Sequence, residues 1–380
     1  MKYQIGLIIL LSIFLIHCNP PNSKTGFTGI VIKENPNIIQ LSPIKEKSVF
    51  IENINYPSIY LDNNEVIVHG FSLKPKNNYI LYAYDKDLNL IKEKLFNTGQ
   101  GPGDLGGAPN IFSVDDQIYI PDNTQRRINI FDKNFNFIKF LKINSEISSP
   151  IFSRDGKYFI SCSWSAGKYG PNSYFTVYLT TFPDLKRRLL HNFPEFNSVI
   201  ENKKEAFLGV GGIHYFIKND KIYLLDKDNY VLTIRNAEGK TEKEIRVDIK
   251  KVSISGKMAE TWLQEHYGAN KYLPKNRIKI RLPEYVQPCA WMIPLEKGFV
   301  VIRKYGYSVY CQGLVEADYF NYNLDLLGKV KFPCFNEIFW LRNHVFLKSC
   351  EVKNGFLFLV NSIEKDNDEI ITLEKWKITE

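Results

Sequence analysis

Short apolar runs alternate with polar residues from about residue 50 to the C-terminus. One phrase occurs twice, 47 residues apart, as Tyr84-Asp85-Lys86-Asp87-Leu88-Asn89-Leu90-Ile91 and as Phe131-Asp132-Lys133-Asn134-Phe135-Asn136-Phe137-Ile138. Each copy has an aromatic residue and Asp at a strand end, then a polar turn, then an alternating strand. Alternation with a period of two around polar turns predicts β-hairpins.

A second element precedes each phrase: an apolar strand, an acidic or Asn-containing turn, and another apolar strand. It occurs at 59–68, 111–120, 152–160, 216–224 and 292–300, and weaker copies of the phrase lie at 181–185, 234–239 and 319–324. Two hairpins per unit make a four-stranded blade, and units begin near residues 50, 108, 150, 210, 286 and 335. The pattern predicts an all-β, six-bladed β-propeller. Five or seven blades stay open because the last unit is the least regular, and residues 28–33 are expected to complete the final blade.

One unit is too long, because the phrases at 234 and 319 are 85 residues apart. The excess falls at about 251–285. Within it, Met258, Trp262 and either Glu265 or His266 have the spacing of one helix face, and Gly268 follows as a stop signal. We therefore predict one short helical insertion over a face of the propeller.

The N-terminus has the pattern of an export signal. Lys2 precedes an apolar run from Ile5 to Ile16, which is shorter than the roughly 20 residues of a membrane-spanning helix. The ending Leu15-Ile16-His17-Cys18 resembles a bacterial lipobox, although the residue before the Cys is usually small. We predict a lipoprotein-type signal peptide at 1–17, lipidation of Cys18, a polar tether at 18–27 and the propeller at 28–380. An ordinary cleaved signal or an uncleaved short anchor are the alternatives.

Composition supports an exported β-protein. Aromatic residues reach 14% and only three Met occur, which favours strands over helices. The net charge of +8 is mild for 380 residues and does not indicate nucleic-acid binding. Five cysteines remain after Cys18, none in a C-x-x-C pair, so we interpret most of them as small buried side chains.

Three passages resemble the six-bladed, NHL-like β-propeller lipoproteins of bacteria. They are Gly99-Gln100-Gly101-Pro102-Gly103-Asp104-Leu105, similar to that family's G-x-G-P-G-E segment, the stretch 118–132, similar to its blade consensus, and 283–288 followed by 298–301. Asp104 replaces the family's Glu, Leu105 an aromatic residue, and Phe299 a Trp. The resemblance implies the fold and an envelope location, and it implies no particular activity.

The sequence contains no catalytic motif. The Gly-rich stretch 99–107 lacks the strand, helix and Lys-Ser/Thr of a phosphate loop, so it is interpreted as a blade connection. Acidic turns such as Asp85-Lys86-Asp87 lack the Gly and distal Glu of a calcium loop. The histidines are scattered singly. We therefore predict no cofactor, no metal ligands and no catalytic residues.

Candidate ligand-binding residues are Arg126 and Arg127 at a strand start, Trp262 and His266 on the predicted helix, and Arg277 and Arg281 in the basic end of the insertion. The leading hypothesis is a monomeric, lipid-anchored protein of the cell envelope that binds a protein, peptide or glycan. The alternative is a metal-dependent hydrolase or lactonase with its site at the central channel, which metal analysis of the purified protein would distinguish.

Overall fold

The predicted pairs of hairpins form four-stranded antiparallel sheets in the computed structural model of the chain. The structure describes residues 29–34, 37–39, 41, 43–62, 65–75, 78–106, 111–114, 116–143, 148–153, 156–165, 174–194, 205–207, 213–250, 252–253, 279–281, 285, 288–303, 314–333, 350–365 and 368–379. Six such sheets follow one another along the chain, and we number them as blades 1 to 6.

The strands of the blades have the following bounds. Blade 1 contains β3 Ile54–Leu61, β4 Glu65–Ser72, β5 Tyr79–Asp85 and β6 Leu90–Phe96. Blade 2 contains β7 Phe112–Val114, β8 Gln117–Asp122, β9 Arg127–Asp132 and β10 Phe137–Lys142. Blade 3 contains β11 Ser148–Phe152, β12 Tyr158–Ser165, β13 Tyr174–Thr181 and β14 Arg187–Pro194. Blade 4 contains β16 Ile213–Lys218, β17 Lys221–Asp226, β18 Val231–Arg235 and β19 Thr241–Asp248. Blade 5 contains β21 Cys289–Pro294, β22 Gly298–Arg303, β23 Leu314–Asn321 and β24 Leu326–Pro333. Blade 6 contains β25 Cys350–Lys353, β26 Phe356–Lys365, β27 Asp368–Lys377 and, from the N-terminal side, β2 Ile44–Ile51.

The apolar core is divided into six parts, each lying between two successive blades. Ile59 and Leu373 belong to the cluster between blades 6 and 1, and Phe131 with Phe96 to the one between blades 1 and 2. Four further clusters join blades 2 to 3, 3 to 4, 4 to 5 and 5 to 6. The ring is therefore closed, and this explains how a chain of this length avoids one oversized core.

The N-terminal strands differ from the prediction. Residues 28–33 were expected to complete the final blade, but β1 (Ile30–Lys33) runs parallel to β19 as a fifth, outermost strand of blade 4. The final blade is completed by β2 instead, which pairs antiparallel with β27. The expectation was wrong because alternation along one strand does not identify its neighbour in space.

The count of six blades is confirmed, and the five hairpins read from the sequence are each the first hairpin of a blade. The first described strand of the last blade is Cys350–Lys353, and its hairpin turns at Asn354-Gly355. The predicted start of this blade near 335 lies outside the described residues. No helix occurs among the described residues, so none of them is a candidate membrane span. The predicted helix at 258–267 lies outside them and stays a prediction.

Candidate functional site

Strand order determines which connections share a side of the ring. We call the strands of a blade A to D from the axis outwards; the A strands β16 and β21 contact each other, as do β25 and β3. Because neighbouring strands of a blade are antiparallel, the B-to-C and D-to-A connections lie on one side, the upper face. The A-to-B and C-to-D turns lie on the other side, the lower face.

The repeated phrase forms the C-to-D turns of the lower face. The Asp132 Oδ1 atom accepts hydrogen bonds from the backbone N–H groups of Asn134 and Asn136, both at 2.8 Å, and Asp85 makes the same pair of bonds in blade 1. These backbone hydrogen bonds hold the pKa values of Asp85 and Asp132 below the usual value. The carboxylates of Asp85 and Asp132 therefore act as hydrogen-bond acceptors within their own turns.

The lower end of the channel carries a clasp between blades 1, 2 and 6. The Tyr60 hydroxyl lies 2.7 Å from Ser113 Oγ, which donates to Asp62 Oδ1 at 3.1 Å, and Lys353 donates to the carbonyl oxygen of Asp62 at 2.6 Å. Burial raises the pKa of Tyr60 to about 12. Because these groups donate and accept hydrogen bonds among themselves, the clasp joins the three blades.

On the upper face, the Gly-rich stretch 99–106 is held against blade 2. The guanidinium of Arg127 donates to the carbonyl oxygens of Gly101 at 2.9 Å and Asp104 at 2.8 Å. Gly103 has a φ of +80°, which favours glycine. The stretch joins β6 to β7, as interpreted from the sequence. Arg127 of blade 2 holds it in place.

Arg126 and Arg127 are neighbours in the chain with different surroundings. Arg127 is buried, and its NH1 and NH2 groups bond loop carbonyls. Arg126 is exposed in the B-to-C turn of blade 2, with a φ of +50°. Only Arg126 has its side chain directed to solvent, although both were candidates for ligand binding.

The remaining candidates belong to the connection between blades 4 and 5. Arg281 ends β20 (Lys279–Arg281), which pairs in parallel with β15 (Glu205–Phe207) so that Arg281 is opposite Phe207. Strand β15 lies in the D-to-A connection from blade 3 to blade 4, so two upper-face connections pair with each other. Trp262, His266 and Arg277 lie outside the described residues.

Three side chains that were not candidates meet at the upper mouth of the channel between blades 4 and 5. His214 is near the start of β16, Trp291 is near the start of β21, and Lys227 lies in the B-to-C turn of blade 4. The rings of His214 and Trp291 are edge to face with centroids 5.3 Å apart. Lys227 Nζ lies 4.9 Å from the centroid of the Trp291 ring, within cation–π range. Trp291 is buried at the edge of the core between blades 5 and 6, whereas His214 and Lys227 are half-buried, so this channel-mouth cluster places two nitrogen-bearing side chains against a buried indole ring.

A buried ionic network positions this cluster. The Asp318 carboxylate accepts two hydrogen bonds of 2.7 Å from the Arg303 guanidinium and one of 2.5 Å from the Tyr230 hydroxyl. Tyr230 ends the turn that carries Lys227, and Arg303 is paired with Cys289 at the start of β21. Burial and the nearby Asp318 carboxylate raise the pKa of Tyr230, which stays a hydrogen-bond donor.

No sequence signal marked these residues, because they are far apart in the chain and each looks ordinary in its own strand. Tyr230 and Asp318 are separated by 88 residues, and Arg303 and Asp318 by 15. Within the described part of the chain, no three His, Cys, Asp or Glu side chains are grouped as a metal site.

Comparison with known proteins supports the architecture. No protein-family model and no curated protein matches the chain. A member of the DUF4221 family from Bacteroides vulgatus has a similar structure, with a TM-score of 0.53 and 11% identity, over 89% of this chain and 98% of that one. A Bacteroides fragilis protein assigned as exported has a TM-score of 0.50 and 13% identity, over 93% of this chain and 100% of that one. At these identities the similarity shows the fold alone: the chain is a six-bladed β-propeller.

Proposed function

We propose that the protein is a lipid-anchored binding module of the cell envelope whose upper face recognises a protein, peptide or glycan. The export-type N-terminus and the similarity to a protein assigned as exported support the location. Acylation of Cys18 would supply the anchor and residues 18–27 the tether, as in the NHL-like lipoproteins that the sequence resembles. Several acyl chains are needed for stable attachment, and the lipoprotein modification provides them.

The observation that carries the binding role is the channel-mouth cluster of His214, Lys227 and Trp291. It lies on the same face as the paired connections β15 and β20, and only residues 208–212 separate β15 from the strand that bears His214. Aromatic rings beside cationic groups are common anchors in recognition surfaces. The predicted helical insertion at 251–285, with Trp262, His266, Arg277 and Arg281, would extend this surface.

Capture experiments with the intact anchored protein test this function. We expect Lys227→Ala and Trp291→Leu each to reduce the amount of envelope glycan or protein that the anchored protein captures. Deletion of 251–285 should reduce this amount further. Lys240→Ala is the matched control, because Lys240 is exposed in a lower-face turn of the same blade. Equal capture by the wild type and by the Lys227 and deletion variants would contradict an upper-face site.

The anchor is tested separately. Mass spectrometry of the mature N-terminus should find an acylated Cys18, and Cys18→Ala should release the protein from membranes. A mature chain that begins elsewhere, or that carries no acyl group, would contradict lipidation and leave the binding face unaffected.

A further inference from the structure

The outer strands of blades 2 and 3 expose apolar and cationic side chains together. On β10, Ile138 is 45% and Phe140 43% exposed, and on β14 Leu189 is 52% exposed. The exposed cations beside them are Arg126, Lys139, Lys142, Lys186 and Arg188. An apolar surface that is interspersed with Lys and Arg has the chemistry of an interfacial membrane contact.

The net charge of this part of the rim is more positive than that of the other blades. The C-to-D turn and outer strand differ in net charge from one blade to the next. Blade 2 (132–143) has three Lys and one Asp in this part, and blade 3 (181–194) has one Lys, two Arg and one Asp, so each has a net charge of +2. In blade 1 (85–96) three Lys balance three acidic residues, and in blade 4 (236–248) three cations face four acidic residues. In blade 5 (321–333) there are two Lys and one Asp, and in the outer strand of blade 6 (44–51) two Lys and one Glu, so each has a net charge of +1. The largest excess of positive charge is thus on two neighbouring blades.

The tether reaches the ring at blade 4, the neighbour of blade 3. Residues before Ile30 lead into β1, the outermost strand of blade 4, and Ile32 and Glu34 contact blade 5. On its other side blade 4 contacts blade 3, where Arg188 donates to the carbonyl oxygen of Ala237 at 3.0 Å. A chain between residues 18 and 30 spans at most about 40 Å when fully extended. An anchor at Cys18 would therefore hold blades 2 and 3 within reach of the bilayer.

We propose that the rim formed by the outer strands β10 and β14 rests on an anionic lipid surface, so that the propeller lies on its side and the channel axis runs along the membrane plane. The inference rests on the anchor of the proposed function. The Lys and Arg side chains lie among the headgroups while Ile138, Phe140 and Leu189 enter the interface. Both faces, including the channel-mouth cluster, then stay open to ligand.

Amine footprinting of the full anchored protein in nanodiscs tests the orientation. The nanodiscs contain phosphatidylcholine alone or with phosphatidylglycerol, and acylation of each Lys by a water-soluble reagent is measured by mass spectrometry. We expect the reactivity of Lys139 and Lys142 to fall severalfold in anionic nanodiscs and to recover in roughly 1 M salt, where the screening length is about 3 Å. Lys331, exposed on the outer strand of blade 5 opposite blade 2, should not change.

Variants complete the test. Lys139→Glu combined with Lys142→Glu should restore the reactivity of Lys186 in anionic nanodiscs, whereas Lys331→Glu should not. Equal protection of Lys331 and Lys139, or no protection of either, would overturn the proposed orientation. Failure of the protein to co-purify with any nanodisc would overturn the anchor itself and, with it, this orientation.

Discussion

The carboxylate of Asp318 is held in two-pronged contact by the guanidinium of Arg303, with Nε–Oδ2 and NH2–Oδ1 distances of 2.7 Å. Asp318 is fully buried, and the contact joins strands β22 and β23 within blade 5. The Tyr230 hydroxyl of blade 4 and the Glu34 carboxylate, which follows β1, bind to the same pair. One ion pair thus connects two blades and the N-terminal segment.

Removing one charge of this pair should lower the stability of the folded protein. We expect Asp318→Asn to lower the free energy of unfolding by roughly 3 kcal/mol, because the buried Arg303 charge would keep only the partly exposed Glu34 carboxylate as its partner. Chemical denaturation measures the change. Asp184→Asn is the control, since Asp184 is exposed and its ion pair with Lys186 is 3.8 Å long; it should change stability by less than about 1 kcal/mol. Similar effects of the two variants would contradict the role of Asp318.

His69 should make stability depend on pH. It is 2% exposed and hydrogen-bonded to the Tyr79 hydroxyl, and burial lowers its pKa from 6.5 to about 3. The unfolded chain therefore binds the proton more readily than the folded one. This contribution to stability is complete above pH 6.5 and is lost as the pH falls towards 3, by at most about 1.4 kcal/mol per unit.

The matched variants for this prediction are His69→Leu combined with Tyr79→Phe, and Tyr79→Phe alone. The double variant removes the titrating group without leaving a buried hydroxyl unsatisfied, so its unfolding free energy should vary less between pH 6.5 and 4. The single variant keeps His69 and should keep the slope. An unchanged slope in the double variant would show that other groups cause the pH dependence.

The lower-face turns should contribute to acid sensitivity. The pKa of Asp132 is held down by the backbone amides of its turn, so its stabilising effect is present above the unfolded value of 3.8 and is lost as the pH falls through the folded value. Asn occupies the same position in blade 5, where Asn321 Oδ1 accepts the same two amide bonds. We expect Asp132→Asn to keep the turn and reduce the loss of thermal stability on going from pH 7 to pH 3. A larger loss would contradict this role.

Arg126 and Arg127 provide a matched pair for the upper face. Arg127→Leu should destabilise the protein by about 1 to 3 kcal/mol, because it removes the charge-assisted hydrogen bonds to the partly buried carbonyl oxygens of Gly101 and Asp104. Hydrogen exchange should rise in 99–106 before the blades unfold. Arg126→Leu, one residue away and exposed, should leave both quantities unchanged. Destabilisation by both variants would indicate a general effect of the turn.

The hairpins were predictable because a strand's alternation and a turn's hydrogen bonds are local. Asp85 and Asp132 bind amides two and four residues ahead, so the repeated phrase identifies its own turn. The blade number followed from counting these units. The last blade was the hardest to delimit because its first hairpin turns at Asn354-Gly355 and contains no copy of the phrase.

Contacts between blades were not predictable in this way. The sequence by itself determined the β-class, the first five blades and the export-type N-terminus, since each depends on neighbouring residues. Only the tertiary structure decided that β1 joins blade 4, that Arg127 supports a loop, and that His214, Lys227 and Trp291 meet. The physical reason is that ring closure brings together side chains from different blades. Their positions along the chain do not indicate that they are close in space.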